Sequence, residues 1–330
     1  MLREVAGDIA PSDFAEARRA CAPIVLRGAA SALPVTRAAA TAERLCTYLR
    51  SFDSGRTAQA FVGDPAIGGR YAYGDQPDGF NFTRETLDLG TALDRIASAA
   101  ADPHQPSVYC GSLPAEDHLP GFAEANPLAL VPQGVLPRLW IGNASTIACH
   151  YDQFDNLACV IAGERRFTLY PPDAIGDLYI GPIDHTMAGQ PVSLAAAAGP
   201  DDPRYPRFAA ARARALTVTL HPGDALYLPK LWWHQVEATA SFNLLMNYWW
   251  DDFVSGPDAP YTALLLAMTT VAERPPAERA AWRVFFDHYA FRPDGHPLAH
   301  LPPERHGILA DSRVNRGRIR AFVMQLLRRG

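Results

Sequence analysis

Between residues 106 and 250 apolar and polar positions change places in short runs. SVYCG, PRLWIG, TIACHYD, NLACVIAG, RRFTLYPP, ALTVTLHPGD, ALYLP, HQVEA and FNLLMNYWW are rich in β-branched and aromatic residues and bounded by turn formers. Such runs read as strands. With no long helical period between them, they predict an antiparallel sandwich or barrel. Residues 171–214, with PPDAIGDLY and an Ala/Asp/Pro-rich stretch, interrupt the series and read as an insertion between two strands.

The flanks follow other periods. Residues 12–21 predict a short helix opened by Ser12, and PIVLRG a strand. Thr41 to about Arg50 and Thr83 to about Ala100 read as helices capped by their threonines, with strand fragments AQAFV, RYAYG and FNF between them. After residue 251, PYTALLLAMTTVAER, PPAERAAWRVFFDHYAF and SRVNRGRIRAFVMQLLRR are helical in period. The first is apolar nearly all round and must be covered. The chain is thus expected to divide into a mixed α/β region (1–105) packing on the core, a β core (106–253), and a helical region (254–330).

Composition narrows the classes. At 48% hydrophobic and 20% charged, the 330 residues suit an ordinary globular protein rather than a disordered, collagen-like or coiled-coil chain. The net charge of -5 gives no broad footprint for nucleic acid. Five scattered cysteines without a CxxC pair argue against a disulfide scaffold or zinc ribbon and point to free thiols in a reducing cytoplasm. No apolar run is long enough for a membrane span, and the first residues carry early acids instead of a secretory signal. Lys230 is the single lysine beside 29 arginines, so a basic site residue is almost always arginine here.

The sharpest chemical signal is His150-Tyr151-Asp152. In a strand, i and i+2 share a face, so His150 and Asp152 present an imidazole and a carboxylate side by side. His234 stands 84 residues later, at the start of another predicted strand. Two imidazoles and one carboxylate on one face of a metal leave positions open, the arrangement suited to non-haem Fe(II) and O₂. Taken alone, HxD also fits a histidine simply hydrogen-bonded to its neighbour.

Two longer blocks carry a resemblance. LWIGNASTIACHYDQFDNLACVIAGERRFTLYPP resembles the metal-binding strands of Jumonji-C (JmjC) cupin-like oxygenases, and HPGDALYLPKLWWHQVEA resembles the block that supplies their last ligand. The likeness spans about 106–250 and is nearest to the group containing the asparaginyl hydroxylase of hypoxia signalling and its bacterial cupin-like relatives. It implies a double-stranded β-helix (jelly roll). It also implies Fe(II) held by His150, Asp152 and His234, with 2-oxoglutarate as co-substrate and O₂ as oxidant. Arg165, two residues after Gly163, would anchor the distal carboxylate of 2-oxoglutarate. Strand parity agrees, because Arg165 shares a face with Phe167 and Leu169 and Arg166 with Thr168. Asn156, Asn247 and Tyr109 match further co-substrate contacts of the family. The chain departs from the family at Ile147, where relatives carry a threonine: either another donor substitutes, with the adjacent but out-of-register Thr146 the candidate, or the pocket takes a different 2-oxo acid, or it binds its co-substrate weakly.

Trp232, Trp233, Trp249 and Trp250 crowd the last ligand, and Trp233, Trp249 and Tyr151 are candidates for a substrate groove. The basic tail beyond Asp311 places Ile319, Phe322, Val323, Leu326 and Leu327 at helical spacing, which reads as a packing or homodimer helix with a solvated basic face. The expected activity is that of an Fe(II)/2-oxoglutarate-dependent hydroxylase or demethylase. Its substrate is expected to be a protein side chain or a small molecule ahead of tRNA, with no membrane partner. Two alternatives stand beside it: a non-catalytic cupin-like binding module, and a metal-dependent cupin of other chemistry, such as a zinc or manganese isomerase.

Overall fold

Strand propensity dominates the first 250 residues. Fourteen strands form among the described residues: β1 (Arg3–Ala6), β2 (Ile24–Arg27), β3 (Thr57–Gly63), β4 (Arg70–Tyr71), β5 (Thr83–Asp88), β6 (Ser107–Pro114), β7 (Arg138–Gly142), β8 (Ser145–His150), β9 (Asp155–Ala162), β10 (Arg165–Tyr170), β11 (Leu216–Leu220), β12 (Ala225–Leu228), β13 (Trp233–Ala238) and β14 (Asn243–Trp250). The structure is a computed structural model that describes residues 2–328 apart from Tyr73, 75–78, Pro103, 184–188, Pro200 and 253–257.

Nine strands make one sheet in the order β1-β2-β12-β9-β14-β7-β6-β3-β5, and five make a second in the order β11-β10-β13-β8-β4. All pairs are antiparallel except β1 with β2 and β4 with β8. The inner faces meet through Ala158, Val160, Leu226, Leu228 and Leu245 of the large sheet and Phe167, Leu169, Val218, Leu220 and Val236 of the small one. This is the predicted mainly-β, cupin-like core with flanking helices. The region expected to pack on the core goes further: β1 to β5 hydrogen-bond into the core's own sheets.

The outer face of the large sheet (Leu157, Cys159, Ile161, Leu244, Met246) buries against Leu45 and Leu49 of helix Ala42–Arg50 and Leu93 and Ile96 of helix Leu89–Ala101. Every position of β9 is therefore buried, because both its faces are covered. The outer face of the small sheet carries Cys149, Tyr170 and Trp233 and is covered by Ala174, Leu178, Ala195, Phe208 and Ala211 of the insertion.

Gly163 makes the β9–β10 turn at φ 75°, and a Cβ there would fall 2.2 Å from Asn243 Oδ1, so both conformation and space demand glycine.

One predicted element is different. Thr83 does not open a helix: residues 83–88 pair with β3 from Thr57↔Asp88 to Val62↔Thr83, and the helix begins at Leu89. Asp88 caps it, accepting from the Thr91 N–H at 2.8 Å. A waiting sheet partner outweighed local helical period.

The chain separates into two units, Met1–Asp251 and Asp252–Gly330. In the second, helices Pro260–Val271, Pro276–Phe286 and Arg313–Leu327 contain no buried residue, although Leu264, Phe285, Phe322 and Leu326 lie on them. No described helix is long and apolar enough to cross a membrane.

Candidate metal centre

β8 and β13 are neighbours in register, with His150 opposite His234. Directly opposed residues on one face of a strand pair approach closely, and the two imidazole centroids are 4.3 Å apart. Asp152 follows on the same side, its Oδ2 3.8 Å from His234 Nε2. One potential ligand atom from each of the three lies within 4.8 Å of the others.

The ring orientations are fixed from behind. His150 Nδ1 is 2.8 Å from the Ala148 carbonyl and His234 Nδ1 is 3.0 Å from the Trp232 carbonyl. A carbonyl only accepts, so Nδ1 carries a proton on each ring and Nε2 is the nitrogen left to ligate. Burial, helped by His150 and opposed by Asp152, pulls His234 down to about 4, so this imidazole is neutral, the form that ligates.

Asp152 is held by a directed chain of donors. Trp140 Nε1–H donates to Asn247 Oδ1 at 2.6 Å, and Asn247 Nδ2 donates to Asn156 Oδ1 at 3.0 Å. Asn156 Nδ2 then donates to Asp152 Oδ2 at 3.2 Å. Trp249 Nε1–H reaches the same oxygen at 3.2 Å. Oδ2 thus takes two donors, which hold the carboxylate in place beside the His234 imidazole.

These side chains open into a cavity of about 240 Å³ between the sheets, also lined by Tyr71, Tyr109, Ser112, Ile147, Arg165 and Gln190. Arg165 is 2% exposed, has no carboxylate partner among the described residues, and leaves Nε without a hydrogen bond. Its Nη2 donates to the Trp140 carbonyl at 3.2 Å. Burial pulls its pKa down, and the Tyr109 hydroxyl opposes that pull. Tyr109 is itself pushed up to about 12 by burial against the help of Arg165. A buried cation with only neutral partners is costly, and an anion in the cavity relieves it.

The structure brings His150, Asp152, His234, Asn156, Asn247, Arg165, Tyr109 and Trp249 to this one cavity. Three candidates fall elsewhere. Trp233 and Tyr151 pack on each other with centroids 4.8 Å apart, among the residues under the insertion. Parity explains it: their neighbours His234 and Asp152 face the cavity, so they face away. Thr146 pairs with the outward Glu237 and does not line the cavity, whereas Ile147 does. The cavity-lining Tyr71, Ser112 and Gln190 were missed, as was Arg138, which holds Ser112. Arg138 was legible, since it shares a strand face with Trp140 in PRLWIG.

The fold and site together define a cupin-like protein. Residues 11–256 match the cupin-like domain family, and the chain belongs to it. Among curated relatives it is similar to the human bifunctional peptidase and (3S)-lysyl hydroxylase JMJD7, with 29% identity over 50% of this chain and 59% of that protein. It is also similar to lysine-specific demethylase JMJ31 of Arabidopsis thaliana, with 30% identity over 40% of this chain and 22% of that one. Human HSPB1-associated protein 1 is 32% identical over 43% and 30%. The chain therefore matches between about a fifth and three fifths of the length of these three relatives.

Proposed function

We propose that this chain is an Fe(II)- and 2-oxoglutarate-dependent oxygenase that hydroxylates a protein side chain. The single observation that carries the reading is one cavity holding a two-histidine, one-carboxylate cluster together with a buried arginine that has no counter-ion among the described residues. The donor set fits the metal: two Nε2 atoms not engaged by the backbone carbonyls and one carboxylate beside them. The arginine fits a dicarboxylate co-substrate.

Fe(II) with 2-oxoglutarate and O₂ supplies oxidation of a C–H bond, with release of succinate and CO₂. The chain's own residues prepare that chemistry. His150, Asp152 and His234 hold the metal; Ala148 and Trp232 carbonyls fix the imidazoles; Asn156 and Trp249 fix the carboxylate. Arg165 and the Tyr109 hydroxyl hold the distal carboxylate, in place of the hydroxyl that Ile147 lacks. The apolar wall of Phe167, Val192, Val236 and Leu245 excludes water. Hydroxylation of protein is favoured over other substrates by the lysyl hydroxylase among the relatives.

Purified protein with Fe(II), ascorbate and 2-oxoglutarate is expected to form succinate, and Asp152→Ala to form none. Retained metal-dependent turnover in that variant overturns the ligand assignment. Ile147 in the cavity wall favours a second reading, a non-catalytic binding module. Calorimetry with Mn(II) and then 2-oxoglutarate decides between the two, since only the module gives no heat. The uncovered apolar side chains of helices Pro260–Val271 and Arg313–Leu327 support self-association through this unit, which sedimentation of the full chain tests.

A further inference from the structure

A second arginine, outside the cavity's own lining, holds two of the residues that line it, Ser112 and Trp249. Arg138 opens β7 and lies on the strand face of Trp140, opposite Asn247 in register. It is partly buried. Its guanidinium stands over the Trp249 ring, 5.6 Å from the centroid, and the half-exposed Phe154 stacks on Trp249 with its centroid 6.4 Å away. Nε donates to Ser112 Oγ at 2.6 Å and Nη2 to the Ser112 carbonyl at 2.9 Å. Nη1 has no partner among the described residues.

No carboxylate pairs with Arg138 among the described residues. The acid whose charge reaches it is Asp117, and Asp117 is bound by Arg56 at 2.7 Å. Burial accordingly pulls the pKa of Arg138 below its ordinary value, against the help of Asp117. Ser112, the residue it grips, lines the cavity and holds φ at 57°, within an irregularity of β6 pairing between Cys110 and Leu113. A non-glycine residue at positive φ costs free energy and persists where its surroundings impose it. Here the two-pronged grip of Arg138 imposes it, and that grip aims the guanidinium.

We propose that Arg138, braced by Ser112 and backed by Trp249 and Phe154, is a substrate subsite for the acidic side chain of a peptide. The subsite rests on the oxygenase reading for its substrate and adds the class of residue beside the target. A guanidinium with a free edge takes a carboxylate or a phosphate alike. The flat rings below it take the aliphatic part of a peptide. The chain's net charge of -5 disfavours a polyanion, so a single local acid is the match.

The test is a library of 12-residue peptides made in matched forms with Asp, phosphoserine, Asn or Lys at one varied position. It is probed with the full chain carrying Mn(II) and 2-oxoglutarate. Wild type is expected to prefer the Asp or phosphoserine form over Asn by about tenfold, the size of one charge-assisted hydrogen bond; the two acidic arms tell carboxylate from phosphate. Arg138→Gln is expected to erase that preference, Arg138→Glu to turn it toward Lys, and all variants to bind Mn(II) and 2-oxoglutarate within about twofold of wild type. Arg138→Lys, which keeps the charge, retains part of the preference and serves if the other variants fail to fold. Equal binding of all forms by wild type, an unchanged preference in Arg138→Glu, or tighter binding of a single-stranded RNA of equal length overturns the subsite. Failure of wild type to bind Mn(II) or 2-oxoglutarate overturns the oxygenase reading instead, and the same library read on the metal-free chain still decides the subsite.

Discussion

Arg165 and Arg138 serve one cavity from opposite surroundings. Arg165 is sealed at the bottom, 2% exposed, with a phenol and a backbone carbonyl for company. Arg138 is partly exposed, gripping a strained serine of the cavity wall and leaning on an indole that water still reaches. Neither has a carboxylate partner among the described residues. The difference teaches that a cation's depth decides its ligand. Burial leaves Arg165 only a small anion that can enter the barrel, whereas partial exposure leaves Arg138 open to a group carried on a larger body. Between the two lies the carboxylate of Asp152, tied to Arg165 through Trp140, Asn247 and Asn156 and to the Arg138 platform through Trp249.

The largest effect breaks both ends at once. Asp152→Ala is expected to weaken Mn(II) binding by more than about a hundredfold, because a lost ligand costs more than a lost outer partner; calorimetry or the Mn(II) resonance signal checks it. Arg165→Leu isolates the deep end. It is expected to raise the 2-oxoglutarate Kd of the Mn(II)-loaded chain by about 10- to 100-fold, with Arg165→Lys losing less. If Arg138→Gln loses as much 2-oxoglutarate affinity as Arg165→Leu, the two ends are not distinct. Trp249→Phe keeps a ring under Arg138 but removes the N–H on Asp152. It is expected to weaken Mn(II) by about tenfold while leaving 2-oxoglutarate affinity of the metal-saturated chain nearly unchanged.

A control away from both ends has the smallest effect on ligands. Asp224 accepts from Gly28 N–H at 3.0 Å and from Arg27 Nη1 at 2.6 Å, joining the HPGD turn to β2. Asp224→Ala is expected to cost about 2 kcal/mol of stability by losing these bonds, with ligand affinities intact. Burial pushes the Asp224 carboxyl up, but the His221 N–H, Arg27 and the Gly28 N–H together outweigh it and hold the pKa below its ordinary value. A depressed carboxyl stabilises the fold above its unfolded pKa. This contribution is therefore complete above about pH 4 and shrinks as pH falls further. Denaturant titrations of wild type and variant are expected to converge on acidification.

Much of this was legible along the chain because strand parity is local. His150 with Asp152, and Arg165 against Arg166, follow from the period of two, and the structure places Arg166 outward on Glu237 at 2.7 Å. The same rule, applied one residue further, would have turned Trp233 and Tyr151 away from the cavity; aromatic crowding in the sequence hid that. Thr83 was misread because a short amphipathic run satisfies helix and strand alike until a partner strand is known.

The sequence by itself determined the strand-rich core, the two-histidine, one-carboxylate cluster and the family, since each depends on residue type and short-range spacing. Only the tertiary structure decided what lies between those side chains. The chain of donors from Trp140 to Asp152 joins residues up to 107 positions apart, and what sets Arg165 and Arg138 apart is that no carboxylate among the described residues pairs with either. Neither a long-range hydrogen bond nor a missing counter-ion has a local signature, because both come into being only when the two sheets close on each other and shut the water out.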